Sequence, residues 1–166
     1  MSRATPSSYS PLQIGLHWVI AALVLVQIVF GDWIGHLGRA LDQGLAPDLV
    51  TRLLGTLHVW IGIAILALTG LRLALRLGRG APAPLGGTPL TLRLLTAAHA
   101  LFYALLLAMP VSGLIAWYGG VPVAGEVHEA MKPVLVLLVA LHLLAVLWHR
   151  VVLRDDTMAR MLRPGR

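Results

Sequence analysis

The sequence predicts an all-α protein, a four-helix transmembrane bundle with both termini cytoplasmic. Three observations carry this. Hydrophobic residues make up 58% of the chain and charged residues only 12%, about half the share usual in soluble domains, and mean hydropathy is +0.82. Four apolar runs, each long enough to cross ~30 Å of hydrocarbon, alternate with polar or Gly/Pro-rich segments. The basic residues gather at alternate ends of those runs.

The elements follow in order. Met1 to Ser10 is a polar tail, too poor in apolar residues to serve as a cleaved leader. Ser10-Pro11 is an N-cap followed by a proline at the first helical position, so span one covers about 11–31, with no charge between Arg3 and Asp32. Gly31 to Val50 is expected to be a polar loop, with His36 solvated in it, and Pro47-Asp48 marks the next start. Span two covers about 50–77. The stretch from Gly78 to Pro89 (GRGAPAPLGGTP) is expected to be irregular. Span three, about 89–117, starts at Thr88-Pro89 and contains Pro110, which removes a helical hydrogen bond and favours a kink. Tyr118 to Gly125 reads as a tight turn. Span four covers about 125–153, and its uncharged core from Pro133 to His149 is slightly short, which draws His128 towards the membrane. A basic tail, Arg154 to Arg166, is expected at the surface. No internal repeat or second domain is visible, so residues 1–166 form one unit.

Positive charge sets the orientation. With the N-terminus inside, the cytoplasmic side holds Arg3, Arg72, Arg76, Arg79, Arg93, Arg150, Arg154, Arg160, Arg163 and Arg166. The outer side holds Arg39, Arg52 and Lys132, with five of the seven acidic residues. This asymmetry explains the net charge of +6 better than nucleic-acid binding does. Trp18 and Trp148 fall near the inner boundary and Trp33 and Trp117 near the outer one, as an aromatic belt would, while Trp60 lies deeper and does not fit that pattern.

The chemistry resides in histidines, because ionisable groups inside an apolar span are costly and mark function. His128 and His142 are fourteen residues apart on span four, within about 40° of the same direction and about 21 Å apart along the axis. By depth, His58 shares an outer layer with His128, and His17 shares an inner layer with His142. Two histidine pairs at two heights, each on different helices, are what two bis-histidine haems need, an arrangement suited to electron transfer. The chain has no Cys, so haem attachment through thiols is excluded. On span two, Gly55, His58 and Gly62 share a face, and the glycines have two compatible readings: room for a macrocycle, or close helix packing. Arg72 and Arg76 lie on or near that face and have two readings as well: partners for haem propionates or a quinone head, or snorkelling anchors. His99 competes with His17 as a possible inner ligand. His149 is an alternative to His142, with a polar role near a quinone preferred. Any single one of these histidines could instead be a hydrogen-bonded structural group. A divalent-metal transporter is a further reading of the histidine stripes, but no Asp or Glu lies deep in any span.

The motifs together resemble the bacterial cytochrome b561 family. They are Tyr9-Ser10-x-x-Gln13-Ile14-x-x-His17-Trp18, His58-x-x-x-Gly62, Arg72-Leu-x-x-Arg76, and His99-x-x-x-Tyr103 leading to Met109-Pro110-x-x-Gly113. His128-Glu129, Leu141-His142, His149 and Asp155-Asp156-Thr157-x-x-Arg160-Met161 complete the set, which covers nearly the whole chain. The resemblance implies a multi-pass protein of the bacterial inner membrane with two b haems, ligated by His17 with His142 and by His58 with His128. It also implies exchange of electrons with ubiquinone or ubiquinol, with superoxide as a possible donor in a superoxide:ubiquinone oxidoreductase. An alternative role is a cytochrome anchor relaying quinol electrons to a redox protein partner. The sequence departs from the family in the short loop between spans three and four, and in Pro133 soon after His128.

Overall fold

The computed structural model describes residues 6, 8–83 and 88–163. Arg3, Arg166, most of the N-terminal tail and the middle of the Gly/Pro-rich link lie outside the described residues. The described chain is all helical: α1 Pro11–Phe30, α2 Trp33–Asp42, α3 Leu49–Arg79, α4 Pro89–Gly119 and α5 Pro122–Trp148, followed by a π-helical segment His149–Leu153 and a short 3-10 turn Ala159–Met161. Four of these helices are long and apolar enough to cross a membrane. They pack as a bundle in which α3 lies against α1, α2 and α4, and α5 lies against α4.

Local chemistry sets the starts. Ser10 and Gln13 form a reciprocal capping box, with Pro11 at the first helical position of α1. Asp48 caps α3 through Val50 N–H and Thr51 N–H, at 2.9 and 3.0 Å, and Thr88 caps α4. These are the starts the sequence predicts. Pro110 and Pro133 sit inside α4 and α5 without breaking either helix. α4 ends at Gly120, whose left-handed backbone (φ 62°) suits a residue without a Cβ.

Two expectations are corrected. The segment after α1 is not a loop: Trp33–Asp42 is helical, and the amphipathic set Ile34, Leu37 and Leu41 gives it a reason to be, with Leu37 buried. His36 accordingly lies on α2, where its ring is 5.4 Å from that of Trp33 and its Nδ1 is 3.2 Å from Arg39 Nη2. The turn expected over Tyr118 to Gly125 shrinks to Gly120 and Val121, because Pro122 starts α5 three residues earlier than Gly125.

The core is small: Ile20, Val24, Ile65, Leu105 and Leu135. Most large apolar side chains point outward, among them Leu137, Leu144 and Trp60, the last 61% exposed. In water that surface would be unfavourable; against acyl chains it is the expected finish, and it accounts for the deep Trp60. The tail folds back on the bundle. Trp18 Nε1 donates to Met161 O at 2.7 Å and Arg160 Nη1 to Ala83 O at 2.8 Å. At the other end Lys132 Nζ is paired with Asp32 Oδ1, fastening the approach to α2 onto α5.

Candidate functional site: two imidazole pairs

Two side-chain bonds fix the register of α1 against α3. Arg72 Nη1 donates to Gln13 O at 2.6 Å, and Gln27 Nε2 donates to His58 O at 2.8 Å. The helices run antiparallel, so as α1 advances from 13 to 27, α3 retreats from 72 to 58. His58 is therefore level with Gln27, near the α2 end. His17 is level with about Leu68, near the tail end.

Across the bundle, α5 carries His128 and His142 on one unbroken helix, about 21 Å apart along the axis. Each meets an imidazole from the α1/α3 side. The ring centroids of His58 and His128 are 6.0 Å apart and those of His17 and His142 are 6.3 Å apart, with an interplanar angle of 69° in both pairs. Phe102 of α4 packs edge-on to His142 at 5.4 Å.

His99 and His149 are not part of either pair. His99 Nδ1 bonds the carbonyl of Leu95, one turn back on its own helix, at 2.7 Å. His149 Nδ1 meets Asp155 Oδ2 at 2.6 Å, in the π-helical segment at the end of α5. Asp155 lies beyond the spans, and the Thr157 hydroxyl and N–H, then His149, hold its carboxyl down to about 2.

The two glycines of α3 separate. A Cβ on Gly55 would meet Leu37 of α2 at 2.6–3.3 Å, so the missing side chain there gives Leu37 room to pack. At Gly62 the nearest atom to such a Cβ is Gln27 Nε2 at 3.8 Å, an ordinary van der Waals distance. Arg72 is tied to α1 through Gln13 O, and the Arg76 side chain makes no hydrogen bond or ion pair among the described residues.

The donor set fits a haem. A metal–imidazole bond of about 2 Å on each side, with the half-width of each ring added, puts the two centroids about 6 Å apart, as in both pairs. Among the described residues no group of three or more His, Asp or Glu side chains could hold a bare metal ion, which leaves the transporter reading without a ligand cluster. An iron already held by a macrocycle needs only two protein donors. The bond from His128 Nδ1 to Met109 O, at 2.8 Å, supports the same fit. A carbonyl can only accept, so Nδ1 carries the proton and Nε2 keeps the lone pair a metal needs.

Several residues at the site carry no histidine signal. Gln27 sets the height of His58, and Gly113 lies so close to His128 that a Cβ there would be 3.0 Å from Nδ1. Thr69 is 1% exposed with its hydroxyl unpartnered, and His58 Nδ1 is also buried without a partner. The signal for Gln27 and Thr69 was present: they are polar residues inside charge-free spans.

Four spans, paired imidazoles and no thiol are what a membrane-embedded cytochrome of b type requires. The chain belongs to the prokaryotic cytochrome b561 family, whose model matches residues 8–164. It is 36% identical over 156 residues to a cytochrome b562 of Cereibacter sphaeroides, covering 94% of this chain and 96% of that one. It is 30% identical to a probable superoxide oxidase CybB of Yersinia pestis (93% and 95% covered) and 28% identical to cytochrome b561 homolog 2 of Escherichia coli (95% and 93%). Membrership in this family makes the chain a membrane cytochrome of electron transport, with b-type haem as its cofactor.

Proposed function

We propose that this chain is a di-haem electron carrier of the bacterial inner membrane that exchanges electrons with ubiquinone, with superoxide as the candidate donor. The observation that carries the proposal is the pair of imidazole couples at two heights, 6.0 and 6.3 Å between centroids. His58 and His128 would hold one haem and His17 and His142 the other, each haem supplying one-electron oxidation and reduction. Two superoxide ions give up one electron each to become O₂, and a quinone takes up two electrons and two protons. The donor is suggested by the similarity to the probable superoxide oxidase of Yersinia pestis.

The chain's own residues provide the setting. Apolar α1, α3, α4 and α5 keep water from the ligands. Gln27 fixes the height of His58, and Met109 O fixes the ring of His128. Arg72 and Arg76 supply positive charge at the inner height for propionates or a quinone head. His149, with Asp155, is the polar group we assign to the neighbourhood of the quinone, and His99 has no ligand role. Both termini are cytoplasmic in this proposal, on the strength of the arginine asymmetry.

The test is a reduced-minus-oxidised spectrum and haem quantitation on the purified protein. Two haems per chain are expected, falling to one in H128A with the inner signal intact. One haem in the wild-type chain, or two retained in H128A, would defeat the proposal. Reduction of added ubiquinone by a superoxide-generating system, abolished in H128A, tests the donor.

A further inference from the structure

One turn of α4 meets the ring of His128 twice directly and once through a shared acceptor. Met109 O accepts from Nδ1 at 2.8 Å. The same oxygen accepts from Ser112 Oγ at 2.9 Å. Gly113 leaves the space the ring occupies, since a Cβ there would lie 3.0 Å from Nδ1 and 3.1 Å from Cε1. The other three paired imidazoles lack that ring hydrogen bond, although Gly31 makes similar room at His58, where a Cβ would lie 3.3 Å from Nδ1. Neither His17 nor His142 makes a ring hydrogen bond among the described residues, and His58 Nδ1 is buried with no partner.

This asymmetry has an electronic consequence. An imidazole whose far N–H is donated to a carbonyl is the more electron-rich ligand, and an electron-rich axial ligand favours the oxidised state of the metal it binds. We propose that the Met109–Gly113 turn sets the donor strength of His128 and so holds the midpoint potential at the His58/His128 pair below the value it would have with a free Nδ1. In this turn Ser112 and Gly113 act as positioning residues for that ligand. The inference rests on the di-haem reading above. Ser112 tempers the effect: two donors on one oxygen weaken each other, so the hydroxyl takes part of the carbonyl's accepting power from His128. Gly113 permits the effect, because a methyl group there would push Nδ1 off the carbonyl.

The experiment is a spectroscopic redox titration of the purified holoprotein in wild-type, S112A, S112T and G113A forms, with H128A used to assign the outer component. In S112A the carbonyl loses the competing hydroxyl donor, so the outer midpoint is expected to move down while the inner one stays. S112T, which keeps the hydroxyl, is expected to restore it. In G113A the outer midpoint is expected to move up, or the outer haem to be lost, again with the inner one unchanged. An outer midpoint that does not move in S112A, moves up, or moves together with the inner one would overturn the inference. If G113A fails to fold, S112A and S112T decide alone. A wild-type chain with fewer than two haems would sink the di-haem reading itself; two haems with a silent S112A would sink only this inference.

Discussion

Gly55 is where the two compatible glycine readings can be separated by measurement. A Cβ placed there would lie 2.8 Å from Leu37 Cβ and 2.6 Å from Leu37 Cδ2. The optimum carbon–carbon separation is about 3.5 Å, so the new methyl would sit roughly 0.7–0.9 Å too close. Rotating Leu37 about χ1 relieves the Cδ2 contact but not the Cβ one, so α2 must shift as a body. Overpacking of this kind costs about 1–3 kcal/mol. Leu37 is 5% exposed, and removing its side chain alone costs about 2–5 kcal/mol. In the double variant the Cγ and Cδ2 contacts are gone and only the Cβ contact at 2.8 Å remains, and the space left beyond that Cβ lets α2 shift to relieve it. G55A and L37A should therefore be strongly non-additive, the pair costing at least 1 kcal/mol less than the sum of the singles. The assay is detergent-titrated unfolding of the holoprotein, followed by Trp fluorescence and haem absorbance. Costs that add to within about 0.5 kcal/mol, or a G55A that loses haem and is not helped by L37A, would refute the packing argument and return Gly55 to the macrocycle.

Three further outcomes follow from the same geometry. Replacing His142 with Ala should remove the inner haem and keep the outer one, read as half the haem per chain, since no other imidazole among the described residues pairs with His17. Ser10→Ala should lower stability by about 0.5–2 kcal/mol through loss of the α1 cap, measured in the same unfolding assay. Asp155 has a folded pKa depressed to about 2 by Thr157 and His149. Its contribution is therefore fully present above the ordinary carboxylate value near 4 and is lost as pH falls towards 2. Limited proteolysis of the tail should accelerate over that window in the wild type, and D155N should be equally sensitive at both ends of it.

What the sequence reveals of the fold depends on whether a segment's reason for being is local. Ser10-Pro11, Asp48 and Thr88-Pro89 carry their capping chemistry with them, and the helices start where those residues say. α2 does not: its ten residues include glycines at 35 and 38, and what holds it is Leu37 settling on Gly55 of another helix and the Asp32–Lys132 pair reaching α5. Those are long-range contacts that polar composition conceals. Among the site residues, the pairs His58/His128 and His17/His142 could be expected from helical period and depth. The roles of His99, which lies near the height of His17 and His142, and of His149, about 10 Å further along the chain axis, could not. Their separation depends on helix rotation, which turns the His99 ring to its own backbone and leaves the His149 ring to a carboxylate in the tail.

The spacing of the two pairs constrains how the bundle is assembled. Along α5 the His128 and His142 imidazoles are about 21 Å apart. Along the α1/α3 side, His58 is level with Gln27, ten residues from His17, which is about 15 Å. The two sides differ by about one helical turn, yet both pairs close to within 6.3 Å. Helix tilt and the direction of the rings must absorb the difference, so the two heights are not independent: a slip of α1 against α3 that improved one pair would open the other. That gives a reason for bonding α1 to α3 at both heights through side chains that reach backbone carbonyls, Arg72 to Gln13 and Gln27 to His58. Apolar surfaces in lipid supply no strong preference for one register over another, and these two polar bonds do. On the di-haem proposal, function therefore depends on the four imidazoles together with the pair of hydrogen bonds that stop the helices from sliding.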